Sequence, residues 1–346
     1  MKSKFNFLTI LFCLAFFITS AGVEKTKDYH ESWPASGVES LKVSNKFGEV
    51  RINNEGGSEV TIDVLVTVEA GNERKAEDLL DQIEVNIRKS GSTVIAETEI
   101  ENDFNSRMAF SIDYTINIPS DKNLDISNKF GNTIVNELNA KGTFDIKYGN
   151  LTANKLVDPG QGEINLTLGY GKATVETLSD AFIEIKYSSI DVTEAGILDV
   201  ESKYSKLAID ELEAVEGESK YDTYNLEEVG SVKFTTKYTH LNIEELKKML
   251  RVDSGYGSIK VEEVSEDFES IYIENSYGAV RLGISDDASY DVDASCDYCD
   301  IDYNSRDFTG NRMSENHTET IDGKIGDGPS TAKVTVKSRY GGIKLR

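Results

Sequence analysis

The groups in this chain best suited to chemistry sit close together near its end. Cys296 and Cys299 are three residues apart, and the stretch 304–330 carries Asp307, Arg312, Glu315, His317, Glu319 and Asp322. A CxxC pair that does redox work usually opens a helix in a βαβ setting. Here Cys296 lies in an alternating strand and Cys299 at the turn that follows, which reads as a local structural disulfide or as two packed thiols. Carboxylates with a histidine and an arginine could serve glycoside chemistry, which needs two carboxyl groups flanking one bond. Yet carboxylates occur along the whole chain, and no pair stands out as acid and base. A degenerate rung with an exposed loop is the simpler account of the late stretch. Nucleophile-elbow, phosphate-loop and zinc motifs are missing from the sequence; Gly160-Gln-Gly162 and Gly326-Asp-Gly328 read as turns, since neither precedes a helix. The expectation is no catalytic, cofactor-binding or metal-binding residues, and no enzyme.

The elements that position these groups announce themselves by a recurrence. An aromatic residue, mostly followed by a small one, returns at Phe47, Phe130, Tyr148, Tyr170, Tyr187, Tyr204, Tyr221, Tyr238, Tyr256, Tyr277, Tyr298 and Tyr340. From Tyr170 to Tyr238 the spacing is 17 residues four times running; elsewhere between Phe130 and Tyr298 it is 17 to 22. The last gap, of 42, fits two rungs of 21. A short fixed period means stacked supersecondary units.

Within a unit, apolar residues fall two, four and six places before the ring, as at Ile183 and Ile185 before Tyr187. That is a strand with one buried face. After the ring they fall at +3 and +5, as at Ile190 and Val192, so the parity has flipped. The small residue at +1 permits the turn this requires. A further apolar residue at +8 follows an acidic pair, such as Asp210-Glu211 or Glu227-Glu228. Seventeen residues hold two strands and two turns and leave no room for a helix. The fold class is therefore all-β: a single-stranded β-solenoid of about 17–22-residue rungs, with equivalent residues in ladders about 4.8 Å apart. The parity switch places the rings at corners, as an internal structural ladder rather than a sugar-stacking stripe. Lysines precede many of them, at 46, 129, 147, 186, 203, 220 and 237.

The stretch between Phe47 and Phe130 departs from the repeat. Val60–Val68 alternates as a strand, Ala76, Leu79, Leu80 and Ile83 have helical spacing, and Ile83–Ile87 with Val94–Ile100 make a hairpin around Ser90-Gly91-Ser92. A strand from Asp113 ends at Pro119. The organisation expected is a signal peptide at 1–22, a first rung at 38–56, a small inserted β/α subdomain near the N-terminus at 57–120, and the solenoid at 121–346 with a long loop or degenerate rung at 304–330. The last rung, ending Ile343-Lys-Leu-Arg346, would form an open end whose cations discourage edge pairing.

Lys2 and Lys4, an apolar run from Phe5 to Ile18 and then Thr-Ser-Ala-Gly have the form of a secretory signal, and the run is short for a membrane span. Export permits a disulfide. The formal net charge is −24, and −26 without the two lysines of the leader. Such a chain repels nucleic acid and anionic lipid. The acid is spread along the rungs as a solvated surface, with divalent-cation binding between acidic rungs as the sharper alternative. Four prolines in 346 residues suit a chain of paired strand.

Ala76-Glu-Asp-Leu-Leu80 in the early strand–helix–hairpin order, Tyr114-Thr-Ile-Asn-Ile-Pro119, and the ending from Ile321 through Ala332–Ser338 to Tyr340-Gly-Gly-Ile-Lys-Leu345 carry a likeness. Over roughly residues 40 to 346 the chain resembles the DUF4097 family of adhesin-like β-strand repeat proteins. The resemblance implies a β-solenoid protein of the bacterial envelope and supplies no active-site residues. An aromatic at so many corners departs from that family's more usual Gly-Xaa-Ile turn. The functional expectation is an exported, non-enzymatic protein of the periplasm, outer-membrane surface or extracellular space. It would serve as an adhesin-like binder or scaffold for a protein or glycan, with no cofactor, no nucleic acid and no transmembrane segment after cleavage. The rival readings are a carbohydrate-active or calcium-dependent enzyme on the 304–330 loop, and an envelope-stress sensor.

Overall fold

The structure is a computed structural model that describes residues 22–54, 57–160, 162, 164–303, 307–330 and 332–346. Apart from Gly22, the leader expected at 1–22 lies outside the described residues. The alternating pattern before and after each ring forms two walls of parallel strands. Strands that precede the ring build the first wall, as Ala181–Lys186 pairs in register with Ile164–Gly169 on one side and with residues 198–203 on the other. Strands that follow the ring build the second, as Lys172–Leu178 pairs with Asn150–Val157 and with Ser189–Ala195. In the most regular part, one strand continues from the second wall into the next rung's first wall, as in Ser189–Lys203, Lys206–Lys220 and Thr223–Lys237. The chain is a β-solenoid.

The core lies between the walls. In-register neighbours such as Ile126, Phe144, Leu166, Ile183 and Val200 stack up the first wall and are buried, opposite Ile190, Leu207, Tyr224 and Leu241 on the second. Gly217 occupies one position of the first column, and beside it two large rings, Tyr224 and Phe234, pack with centroids 4.8 Å apart. A buried apolar side chain contributes about 1.5–3 kcal/mol, so the period-2 apolar pattern is the main stabilising term.

The inserted segment covers the N-terminal end of both walls. Thr93–Ile100 lies parallel on Ser40–Lys46, and Phe110–Asn117 lies parallel on Val50–Asn53. Antiparallel strands then extend each wall: Ile83–Ser90 on the first, Glu59–Ala70 and then Val23–Pro34 on the second. The helix Glu73–Asp81 is capped by Asn72, whose side chain accepts from the Lys75 amide at 3.0 Å, and buries Ala76 and Leu80. The strand Val23–Pro34 escaped the sequence reading because nearly all its side chains are exposed or half-exposed, so its composition does not alternate. Its His30 is held above the ordinary histidine pKa by a hydrogen bond to Asp63, at 2.6 Å.

At the other end the chain order and the spatial order differ. The final rung does not form the open end expected of it. Ala332–Arg339 inserts between Ser270–Ser276 and Tyr290–Asp297, parallel to both. Ile343–Leu345 inserts between Val280–Ile284 and Ile301–Tyr303. Nor do the described residues of the stretch expected as a long loop or degenerate rung, 307–330, form either. Phe308–Glu315 and Thr318–Ile325 form an antiparallel hairpin, and the second of them pairs antiparallel with Tyr290–Asp297. The hairpin thus terminates the first wall. An antiparallel strand reverses the hydrogen-bond pattern that a further parallel rung would match, and it leaves no rung-shaped template at the end.

Where glycine follows the ring, close approach leaves no room for a side chain. A Cβ on Gly149 would lie 1.9 Å from the carbonyl oxygen of Gly131, whereas one on Gly169 would meet only Lys147 Cγ, at 3.7 Å. Gly149→Ala should therefore lower unfolding free energy by about 1–3 kcal/mol or more, while Gly169→Ala leaves it within about 0.5 kcal/mol. Urea titrations followed by circular dichroism compare the two, and equal midpoints would contradict this corner packing.

Candidate functional site

Each rung turns at its aromatic residue. All twelve of these residues, from Phe47 to Tyr340, have φ between +52° and +63°, the left-handed region. For a side chain larger than glycine that conformation costs roughly 1–2 kcal/mol. It swings the ring outward. The column of rings stands on the surface, not inside: Tyr204 is 42% exposed and Tyr298 59%. The parity switch locates the corners but does not say on which side of the backbone the ring leaves, and this overturns the expected internal ladder.

The rings nevertheless stack. From Phe47 to Tyr277 successive centroids are 4.7–5.0 Å apart with planes within 1–14°. The column then follows space rather than sequence, from Tyr277 to Tyr340 to Tyr298. Phe110, itself edge-on to Phe104, closes one end against Phe47. His317 closes the other, stacked on Tyr298 at 5.3 Å with its own φ at +69°. The gap of 42 residues thus does contain one more ring position, filled by a histidine at a hairpin turn. Because neighbours cover both faces of an inner ring, the column offers solvent mainly ring edges. It is a poor platform for stacking sugars.

Beneath the rings the corners are tied together by polar side chains that the sequence reading did not single out. Where the residue after the ring is not glycine, its oxygen accepts from the amide at the same place in the preceding rung. Ser188 Oγ accepts from Gly171 N at 3.0 Å, and Asp222 Oδ1 from Ser205 N at 2.7 Å. Asp222 is buried and also accepts from Ser202, Ser219 and the Lys220 amide. Tyr224 joins this network through Ser202 at 2.7 Å, and burial pushes its phenol pKa up. Tyr114 makes the matching contact with Thr98 near the N-terminal end; burial pushes it up to about 12. The signal that could have found this network is the run of Ser, Thr, Asn and Cys two places before the ring.

Cys296 and Cys299 occupy the same two corner positions, and a disulfide joins them across a Cα separation of 5.3 Å. Cys296 is fully buried. The pair replaces the polar tie of the other corners with a covalent one.

The late residues do not converge. Arg312 and Glu319 form an ion pair at 2.6 Å, and Glu319 Oε2 accepts from the Ile301 amide at 3.0 Å. Glu319 is almost wholly buried. His317 belongs to the ring column, the Asp307 carbonyl accepts from Gly326 N, and Glu315 and Asp322 are exposed on the hairpin. Among the described residues no group of three or more His, Cys, Asp or Glu is arranged to hold a metal ion. No described helix is long and apolar enough to cross a membrane.

The outer faces carry charge in columns. Lys186, Lys203, Lys220 and Lys237 are in register beside the rings, with Lys186 bonded to Glu184 and Lys203 over the Tyr204 ring at 5.3 Å. On the second wall Glu194, Glu211, Glu228, Glu245 and Glu263 are in register. A register shift between Val229 and Ser231 admits the extra residue of an 18-residue rung, and Lys247 there reaches Glu245 at 2.6 Å and Glu228 at 3.5 Å. Like-charge ladders are unfavourable, and such cations relieve them.

A shallow depression of about 400 Å³ breaks the flat outer face of the first wall. Short Thr235 stands between Glu218 and Asp253, with Gly217 also in the lining. Lys233, held by Glu216 at 2.9 Å, and Arg251, whose guanidinium lies 5.0 Å from the Tyr272 centroid, form its rim. Here an aromatic ring outside the column, two cations and several carboxylates face a common concavity.

No family model matches the chain, and no curated protein matches it. Solved structures show similarity. A "putative adhesin" from Parabacteroides merdae is 15% identical over 74% of this chain and 96% of its own, with a TM-score of 0.36. A "putative lipid binding protein" from Parabacteroides distasonis is 11% identical over 74% and 96%, at 0.32. A "putative cell adhesion protein" from Clostridium sporogenes is 9% identical over 93% and 99%, at 0.21. At such scores these likenesses have no bearing on what this chain binds.

The stacked, half-exposed column makes its own prediction. Tyr204 has two stacked neighbours, each contributing about 0.5–1.5 kcal/mol. Tyr204→Ala should then destabilise by about 1–3 kcal/mol. Tyr204→Gly, which relieves the left-handed strain, should be no worse than the alanine variant. Guanidinium unfolding measures both, and an alanine variant as stable as the parent would rule out stacking as a stabilising term.

Proposed function

We propose that this chain is an exported, non-enzymatic, adhesin-like protein of the bacterial envelope that holds a glycan on the outer face of its first wall. The DUF4097 resemblance and the leader sequence motivate export and the envelope setting. The observation that carries the binding site is the depression around Thr235. Its volume falls in the range of small-ligand sites. Glu218 and Asp253 supply acceptors for sugar hydroxyls, Arg251 and Lys233 supply donors, and Tyr272 supplies a ring. Charge-assisted hydrogen bonds of this kind are stronger than neutral ones. The enzymatic alternative is less favoured because Glu319, Arg312 and His317 are each used in holding the hairpin. In an open depression, bound sugar stays in contact with water and weak affinity per site is expected. Adhesion would then depend on many copies acting together.

A glycan array probed with the purified protein tests this directly. Arg251→Ala and Tyr272→Ala should each weaken the strongest hit at least tenfold while shifting the melting temperature by only a few degrees. Unchanged affinity in both variants would place binding elsewhere. Hydrolysis of the bound glycan by the parent would replace binding with catalysis.

A further inference from the structure

The displaced final rung has a consequence for association, independent of what the first wall binds. After Ile284 the chain steps over a full rung position before Tyr290 begins the next strand. It builds the rung 290–303 and the hairpin 308–325, then returns to fill the position it skipped. Until residues 332–346 arrive, that position is a slot with an unpaired strand edge on every side: Ser270–Ser276 and Tyr290–Asp297 in the first wall, Val280–Ile284 and Ile301–Tyr303 in the second. Unpaired edges are templates for any strand of matching pattern. The pattern here is specific. Val334 pairs with Ile271 and Val292, Val336 with Ile273 and Ala294, and Ile343 with Val280 and Ile301, all of them buried. Tyr340 completes the ring column between Tyr277 and Tyr298.

We propose that this slot is an exchange site whose second occupant is the 332–346 segment of another copy of the chain, giving a reciprocal two-fold dimer. Every contact inside the slot is the same whether the segment comes from its own chain or from a second one. The two closures therefore differ only at the hinge and in the entropy of association. The segment leading into the slot suits a hinge: Gly326, at φ +96°, is followed by Asp327, Gly328, Pro329 and Ser330. It meets the slot's entrance through hydrogen bonds from Gly328 N to Ser289 Oγ at 2.9 Å and from Ser330 Oγ to Asp291 Oδ1 at 2.8 Å. A short linker gives the chain's own segment an effective concentration of order millimolar, so the self-closed monomer dominates in dilute solution. Exchange wins where copies are concentrated or where the hinge is too short to fold back. A reciprocal dimer joins two solenoids near their C-terminal ends.

The test uses two full-length single variants, Asp291→Cys and Lys333→Cys, whose positions are register partners across the slot. They are mixed, unfolded and refolded together at high protein concentration, then oxidised. Exchange places one copy's residue 291 beside the other's 333, so the mixture forms more of that disulfide than random collision gives, which each variant alone reports. The expected result is a species of twice the chain mass on non-reducing gels from the mixture, rarer at least tenfold when refolding is done at hundredfold dilution. Deleting Asp327 and Gly328 from both variants should raise its share further. If the mixture gives no more of the double-mass species than either variant alone, exchange does not occur; this comparison holds even if the deletion variant fails to fold.

Discussion

The structure depends on the corner. Once per rung the chain must reverse the face its side chains present, and at every ring it does so by placing a bulky residue in left-handed backbone. One such residue is an isolated strain of roughly 1–2 kcal/mol. Repeated in register at the spacing of hydrogen-bonded strands, it becomes self-supporting. Each ring comes to lie at stacking distance from the next, and each post-ring side chain caps the amide of its neighbour, as Asp222 does for Ser205. Strain and compensation share one period, which is why the column can run through all the rungs without a break.

A self-templating stack needs to stop. At the N-terminal end, a helix and antiparallel strands from the insert extend both walls. At the C-terminal end, the antiparallel hairpin 308–325 closes the first wall, and the final rung fills a place inside the stack. The last ring position is filled by His317 rather than by another tyrosine. The N-terminal end of both walls and the C-terminal end of the first wall substitute reversed strands for a bare parallel edge. The disulfide of Cys296 and Cys299 lies in the outermost full rung, where one neighbour is the hairpin and no further rung supports the corner. Side chains that looked reactive in the sequence are therefore concentrated where the repeat is brought to a close.

Much of the fold was legible. The period of the aromatics, the parity switch around them, the insert's helix and the hairpin through Ser90–Ser92 all follow from side-chain alternation, a property each strand carries by itself. Two things were not. Burial of the rings depends on the sign of φ at one residue per rung, which composition does not reveal when aromatics take the place of glycine. The strand Val23–Pro34 was invisible because none of its side chains is fully buried and only Tyr29 and Trp33 pack against the core, which is too little to show as a pattern. Of the candidate site, the lysine and glutamate ladders were readable from spacing. The depression around Thr235 was not, since it arises from one short side chain seen against its neighbours on the adjoining rungs.

By itself the sequence determined that the chain is a stack of two-strand rungs with an aromatic at each corner, because alternation and period are local. Only the tertiary structure decided in what order the rungs stack. Ala332–Arg339 has the same apolar alternation as any other rung strand and would fit several places; it lies between Ser270–Ser276 and Tyr290–Asp297 because the hairpin takes up the end that it would otherwise have occupied. Strand pairing is a choice among similar edges, and the choice is made by what covers the rest.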